Sequence, residues 1–172
     1  MDAAALHEAA LAYLARRPAT AAMMTRVLER RARKKGLELD EVGETIRKVV
    51  ARLVEVGLVD DATFAASRVK RLERAGRSSR AIAAHLAQKG VRSEVARTAL
   101  TRDHDADFDA ALVLAKKRRI GPFAREAAID REARNKELGI LARAGFDRAT
   151  AERALRMDRD EAEERLGARR AL

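Results

Sequence analysis

The run Asp103-His104-Asp105-Ala106-Asp107-Phe108-Asp109 places carboxylates at alternate positions. That is how a calcium loop begins, with oxygen ligands two residues apart turned around a hard cation. The rest of the loop fails: its sixth position needs glycine for a sharp turn and holds Phe108, and its twelfth needs a bidentate Glu and holds Leu114. Helix capping, and the preference of acids for the positive end of a helix, account for these aspartates instead. His7, His85 and His104 are too scattered for one site, and His85 adjoins Leu86 on an apolar stripe, where a packed histidine is the ordinary outcome. Cysteine is absent, which removes disulfides, thiolate catalysis and cysteine-ligated zinc. No GxxxxGK, GxSxG or HExxH pattern occurs. These residues predict no enzyme, no metal and no cofactor.

The cations are a stronger signal. The chain carries 37 Lys and Arg against 27 Asp and Glu, for a net charge of +10, a balance that favours anionic partners such as nucleic acid or acidic protein faces. The excess is +3 over residues 1–59, +5 over 60–104 and +2 over 105–172, so the middle is the most basic. Two clusters, Arg30-Arg31-Ala32-Arg33-Lys34-Lys35 and Lys116-Lys117-Arg118-Arg119, fall at expected helix C-termini, where cations also offset the helix dipole. A third group, Arg68, Lys70, Arg71, Arg74, Arg77 and Arg80, straddles a turn between two helices, which capping alone explains poorly. The main contact surface is therefore expected on this third group, with Lys116, Lys117, Arg118 and Arg119 as a second contact.

The elements that position these side chains repeat. Gly36, Gly90 and Gly145 recur at intervals of 54 and 55 residues, each closing one helical pattern before the next. Leu86-Ala87-Gln88-Lys89-Gly90-Val91 answers Leu141-Ala142-Arg143-Ala144-Gly145-Phe146, and Ala96, Ala99 and Leu100 answer Ala151, Ala154 and Leu155. The spacing of Leu6, Ala10 and Leu14, of Met24, Leu28 and Ala32, and of Ile46, Val49, Val50 and Leu53 is that of single helix faces. The pattern predicts an all-α chain of three tandem three-helix repeats, 1–58, 59–104 and 105–157, in an elongated, curved array. Within the third repeat a long helix is expected from Gly121-Pro122 to Ala144, with a weak point around Asn135 or Gly139, and the tail 158–172 reads as a loosely held helix or a frayed end. With no apolar run of about 18 residues and no secretory leader at the N-terminus, the expectation is a soluble, cytoplasmic monomer that engages no membrane.

Gly57-Leu58-Val59-Asp60-Asp61-Ala62-Thr63-Phe64-Ala65, then Arg74-Ala75-Gly76-Arg77-Ser78-Ser79-Arg80-Ala81-Ile82, then Leu86-Ala87-Gln88-Lys89-Gly90-Val91, resembles the RecX family of bacterial recombinase regulators. The family is marked by G-x-x-D-D-x-x-F-A, a glycine-containing turn and L-x-x-K-G-[IV] in this order. Tyr13-Leu14-Ala15-Arg16-Arg17-Pro18 and Leu141-Ala142-Arg143-Ala144-Gly145-Phe146 extend the likeness over nearly the whole chain. Leu58 stands where an aromatic is often found, and Ser67-Arg68-Val69 where a Trp often follows. The resemblance implies a regulator that binds the RecA–DNA filament along its groove, reaching single- or double-stranded DNA through the filament. It also implies that filament extension, ATP hydrolysis, strand exchange and LexA cleavage are limited. In the matching motif it implies structural roles: Asp61 caps, Phe64 packs, and Gly76 and Gly90 break helices. The alternative reading from the residues alone is a sequence-tolerant nucleic-acid-binding helical repeat protein, because Ser78 to Leu86 also reads as a helix-turn-helix segment. A purely structural adaptor fits everything except the basic excess.

Overall fold

The computed structural model describes residues 2–100, 105–125 and 130–170, and among them every regular element is a helix. In chain order these are α1 (Ala3–Leu14), α2 (Ala21–Lys34), α3 (Leu39–Glu55), α4 (Asp61–Arg74), α5 (Ser79–Gln88), α6 (Ser93–Leu100) and α7 (Ala106–Arg118). A single 3-10 turn at Gly121–Phe123 follows, then α8 (Arg131–Arg143), α9 (Arg148–Arg156) and α10 (Arg159–Arg170). The chain packs as two units: the described residues of Met1–Ser67 with Leu86–Ala99, and those of Arg68–His85 with Leu100–Leu172. In the first, Leu6, Met24, Leu28, Ile46 and Leu53 are fully or almost fully enclosed. In the second, Phe108, Leu112, Leu141 and Leu155 form the centre of the core.

The recurring glycine has a packing reason that repeats along the chain. Thr20 caps α2, accepting from Met23 N at 3.1 Å, and its buried hydroxyl donates to the Lys89 carbonyl at 2.6 Å. Ser78 caps α5 in the same way, accepting from Ala81 N at 3.2 Å and donating to the Ala144 carbonyl at 2.7 Å. The two accepting carbonyls immediately precede Gly90 and Gly145, whose φ values of +80° and +93° lie in the left-handed region that glycine enters without a Cβ clash. A Cβ at Gly90 would overlap the Ala22 Cβ, and one at Gly145 would come within 2.7 Å of the Ser78 Oγ. These two glycines therefore both end a helix and let it dock on the capped start of another. At Gly36 nothing among the described residues lies within 4 Å of the same position, so that glycine only ends its helix.

The paired aspartates divide their labour. Asp60 caps α4, accepting from Ala62 N at 2.8 Å and Thr63 N at 3.0 Å. Asp61, expected to cap its own helix, instead accepts from Ala21 N at 2.9 Å and serves the start of α2. Asp107 does the equivalent at the start of α5, accepting from Ser79 N at 2.6 Å.

Two expectations are corrected. The helix foreseen from Gly121 to Ala144 begins only at Arg131, where Asp130 caps it by accepting from Ala133 N at 2.7 Å; residues 126–129 lie outside the described ones. Ile120 and Phe123 are buried, and Ala124 is extended. Burying two large apolar groups outweighs a continued helical register at this point. Asn135 and Gly139 do not interrupt α8. The tail is likewise not frayed over its described length: Ala162 and Leu166 on α10 are buried in the second core.

Candidate functional site

Both groups of predicted contact residues belong to the second unit. Lys70, Arg71 and Arg74 are exposed on α4, Arg77 is exposed in the turn after Gly76, and Arg80 is exposed in the first turn of α5. Arg68 is half-buried and engaged with a partner. Lys116, Lys117, Arg118 and Arg119 are exposed at the end of α7.

Packing brings the two groups together. The Gly76 backbone lies so close to α7 that a Cβ there would come within 3.0 Å of the Val113 side chain and 3.1 Å of Leu114 N. Lys117 Nζ donates to the Ala75 carbonyl at 2.7 Å, between Arg74 and Arg77 in sequence. The end of α4 and the end of α7 thus form one cationic region, with Lys117 spent on holding it together. Lys116 is also engaged, 3.8 Å from Glu163 and 5.4 Å from the centre of the Phe123 ring. Lys70, Arg71, Arg74, Arg77, Arg80, Arg118 and Arg119 form no ion pair among the described residues. Arg119 is also the one described non-glycine residue at positive φ, +55°, a conformation in which an L side chain crowds the backbone.

Six other arginines of this unit, on α9 and α10, are paired with carboxylates. Arg165 and Arg169 on α10 both hydrogen-bond Asp109, which is only 7% exposed. Arg165 also reaches Asp105 at 3.0 Å, Arg153 reaches Asp105 at 3.2 Å, and Arg169 lies 3.8 Å from Glu73. Arg153 and Arg165 face the Phe108 ring at 3.8 and 4.9 Å from its centre, a geometry in which the ring quadrupole attracts the cation. The Asp105 carboxyl is held below its ordinary range by its hydrogen bond from Arg165, and then by that from Arg153. Burial alone would lower the Arg165 guanidinium, but the Asp109 and Asp105 carboxylates push it up. Arg148 and Arg156 each pair with Glu152, at 2.8 and 2.7 Å. Residue types alone did not reveal this network. The available signals were the i,i+4 spacings of Asp105 with Asp109 and of Arg165 with Arg169.

The described aspartates of the run, Asp105, Asp107 and Asp109, each have partners within the chain. Asp105 occupies the N-cap position of α7 but makes no side-chain capping bond, because its oxygens are turned to Arg153 and Arg165. Asp103 and His104 lie outside the described residues, among which no cluster of His, Asp or Glu could hold a metal ion. At the start of α5, within the segment that reads as helix-turn-helix, Ser78 donates to the Ala144 carbonyl and the Asp107 carboxylate accepts from Ser79 N. No helix of the described residues is long and apolar enough to cross a membrane.

These features describe an all-helical repeat protein with an exposed cationic surface. Residues 60–100 match the family model for the second three-helix domain of RecX. The chain is 38% identical over 156 residues to regulatory protein RecX of Myxococcus xanthus, covering 87% of this chain and 83% of that one. It is 30% identical over 162 residues to regulatory protein RecX of Agrobacterium fabrum, covering 91% and 85%. The crystal structure of RecX from Lactobacillus salivarius superimposes with a TM-score of 0.70 at 21% identity, over 97% of both chains. The chain belongs to the RecX family.

Proposed function

We propose that this chain is a non-catalytic regulator of homologous recombination and the SOS response. It binds the RecA–DNA filament along its groove and restrains filament extension, ATP hydrolysis, strand exchange and LexA cleavage. It acts in the cytoplasm as a monomer, without cofactor or metal, and meets single- or double-stranded DNA through the filament. Arg71, Arg74, Arg77, Arg80, Arg118 and Arg119 form the principal contact, supported by Lys70. Lys116 and Lys117, which are engaged within the chain, hold that surface in place, and the half-buried Arg68 flanks it.

The observation that carries this reading is the cationic region where α4 and α7 end. Arg148, Arg153, Arg156, Arg159, Arg165 and Arg169 of the same unit are matched to carboxylates, whereas these clustered guanidinium groups make no ion pair among the described residues. An unmatched planar guanidinium is suited to bidentate capture of phosphate or carboxylate. The test is titration of the purified chain into preformed recombinase filaments while ATP hydrolysis is followed, alongside gel shifts on naked DNA over a salt series. Inhibition is expected at concentrations well below those that shift naked DNA. Equal affinity for naked and coated DNA, with a steep salt slope, would instead establish the sequence-tolerant nucleic-acid-binding alternative.

A further inference from the structure

The first unit carries a surface of opposite character. Val54, Val56 and Leu58 are 46, 48 and 52% exposed, three large apolar side chains within five residues where α3 gives way to α4. Fraying does not explain their exposure. Val56 N donates to the Arg52 carbonyl at 3.0 Å, and Leu58 N and Val59 N both donate to the Leu53 carbonyl, at 2.9 and 3.1 Å. Val59 is turned into the core while Leu58, its neighbour, is turned out. The ledge borders a shallow groove of about 610 Å³ whose apolar lining includes Val54, Val59, Ala62 and Val95.

The charge around this ledge runs against that of the chain. Glu55, Asp60 and Asp61 lie within the same stretch, and only Arg52, paired with Glu55 at 2.7 Å, offsets them nearby in sequence. Arg92 stands in the groove lining. With Glu55 paired to Arg52, Asp60 and Asp61 outnumber Arg92 in the groove lining, which disfavours phosphate, and apolar side chains offer it nothing. What fits is a protein segment that presents apolar side chains next to Lys or Arg.

We infer that the Val54–Leu58 ledge docks the protein component of the nucleoprotein filament, while the arginines of the second unit meet its phosphates or acidic side chains. This rests on the function proposed above and adds to it a second, apolar contact with the recombinase itself. Selectivity for coated over naked DNA then comes from the ledge, and general affinity for anions comes from the arginines.

The test uses the full chain carrying V56K/L58K, with V56S/L58S as a second variant. Both changes fall on half-exposed side chains, so helicity and melting should match wild type. The lysine variant is expected to raise the concentration for half-maximal inhibition of filament ATP hydrolysis at least tenfold, while its shift of naked single-stranded DNA is kept or tightened by the two added charges. The serine variant should move in the same direction by a smaller factor. A lysine variant that inhibits as well as wild type or better overturns the inference, because a ledge facing DNA gains from added charge. Loss of a wild-type self-association by sedimentation, with inhibition unchanged, overturns it in favour of a second copy of this chain as occupant. If wild type itself leaves the recombinase untouched, the proposed function falls and the ledge inference with it. If wild type inhibits and the variants do too, only the ledge inference falls.

Discussion

Arg71, Arg74, Arg77 and Arg80 differ from Arg148, Arg153, Arg156, Arg165 and Arg169 in nothing that a count of residues records. All nine sit on helices or turns of the same packed unit. The first four find no carboxylate among the described residues, whereas the other five meet Asp105, Asp109, Glu152 or Glu73. The difference shows that the availability of an arginine for an outside anion is set by the carboxylates its fold has already delivered to it. The paired group gains local order: α10 is fastened to α7, and the Phe108 ring is covered by two guanidinium groups. The other group is left exposed, its positive charge unmatched by any carboxylate among the described residues.

Reversing the unpaired group should produce the largest effect. R71E/R74E/R77E removes three contacts, each worth about 1–3 kcal/mol, and adds repulsion, so filament inhibition should disappear. Circular dichroism melts should stay close to wild type, since changes at exposed positions usually fall within about 0.5 kcal/mol. Full inhibition by this folded variant would move the contact surface elsewhere, with Lys34 and Lys35 at the end of α2 the next to reverse.

Breaking the paired group should act on folding instead. D109A leaves Arg165 and Arg169 without their shared, nearly buried acceptor, and removing one member of a buried pair typically costs about 3 kcal/mol or more. For a chain of this size the melting temperature should fall on the order of 10 °C. A melting temperature unchanged by D109A would mean that α10 is held by Ala162, Leu166 and its remaining contacts with Asp105 and Glu73. The same network sets an acid limb. Because the folded Asp105 carboxyl lies below its ordinary value of 3.8, its stabilising contribution is fully present above about that pH. It is lost as the pH falls through the depressed value. A pH series of thermal melts should show this limb in wild type and lose part of it in D105N.

Arg119 tests the comparison more finely, because it combines a donor without an ion pair among the described residues with backbone crowding at φ +55°. R119G relieves roughly 1 kcal/mol of crowding, partly offset by the freer unfolded glycine. The melting temperature should rise by about 1–3 °C while filament inhibition weakens severalfold. A stabilised variant with undiminished inhibition would remove Arg119 from the contact surface. The smallest effect is expected at Arg148, which pairs with Glu152 on the same helix. An exposed i,i+4 pair is worth only about 0.3–0.5 kcal/mol, so R148A should leave inhibition within about twofold of wild type and melting nearly unchanged.

Local physical chemistry made much of this molecule legible from the sequence. Thr20, Ser78 and Asp147 cap their helices because a short oxygen-bearing side chain satisfies free backbone N–H groups wherever it precedes a helical stripe. Gly90 and Gly145 announced helix ends because only glycine enters the left-handed region freely. The stripes through Leu6 to Leu14 and Ile46 to Leu53 identified the buried faces of α1 and α3. Tertiary structure decided where long-range packing overrides local preference. Ile120 and Phe123 are drawn into a core that replaces the first turns of the long helix expected at Gly121. The last helix holds because Asp105 and Asp109, 56 to 60 residues upstream, face Arg165 and Arg169. For the same reason the sequence could list the arginines but not separate the paired from the available: a charge's partner is chosen by which surfaces the fold brings together, and chain separation carries no record of that choice.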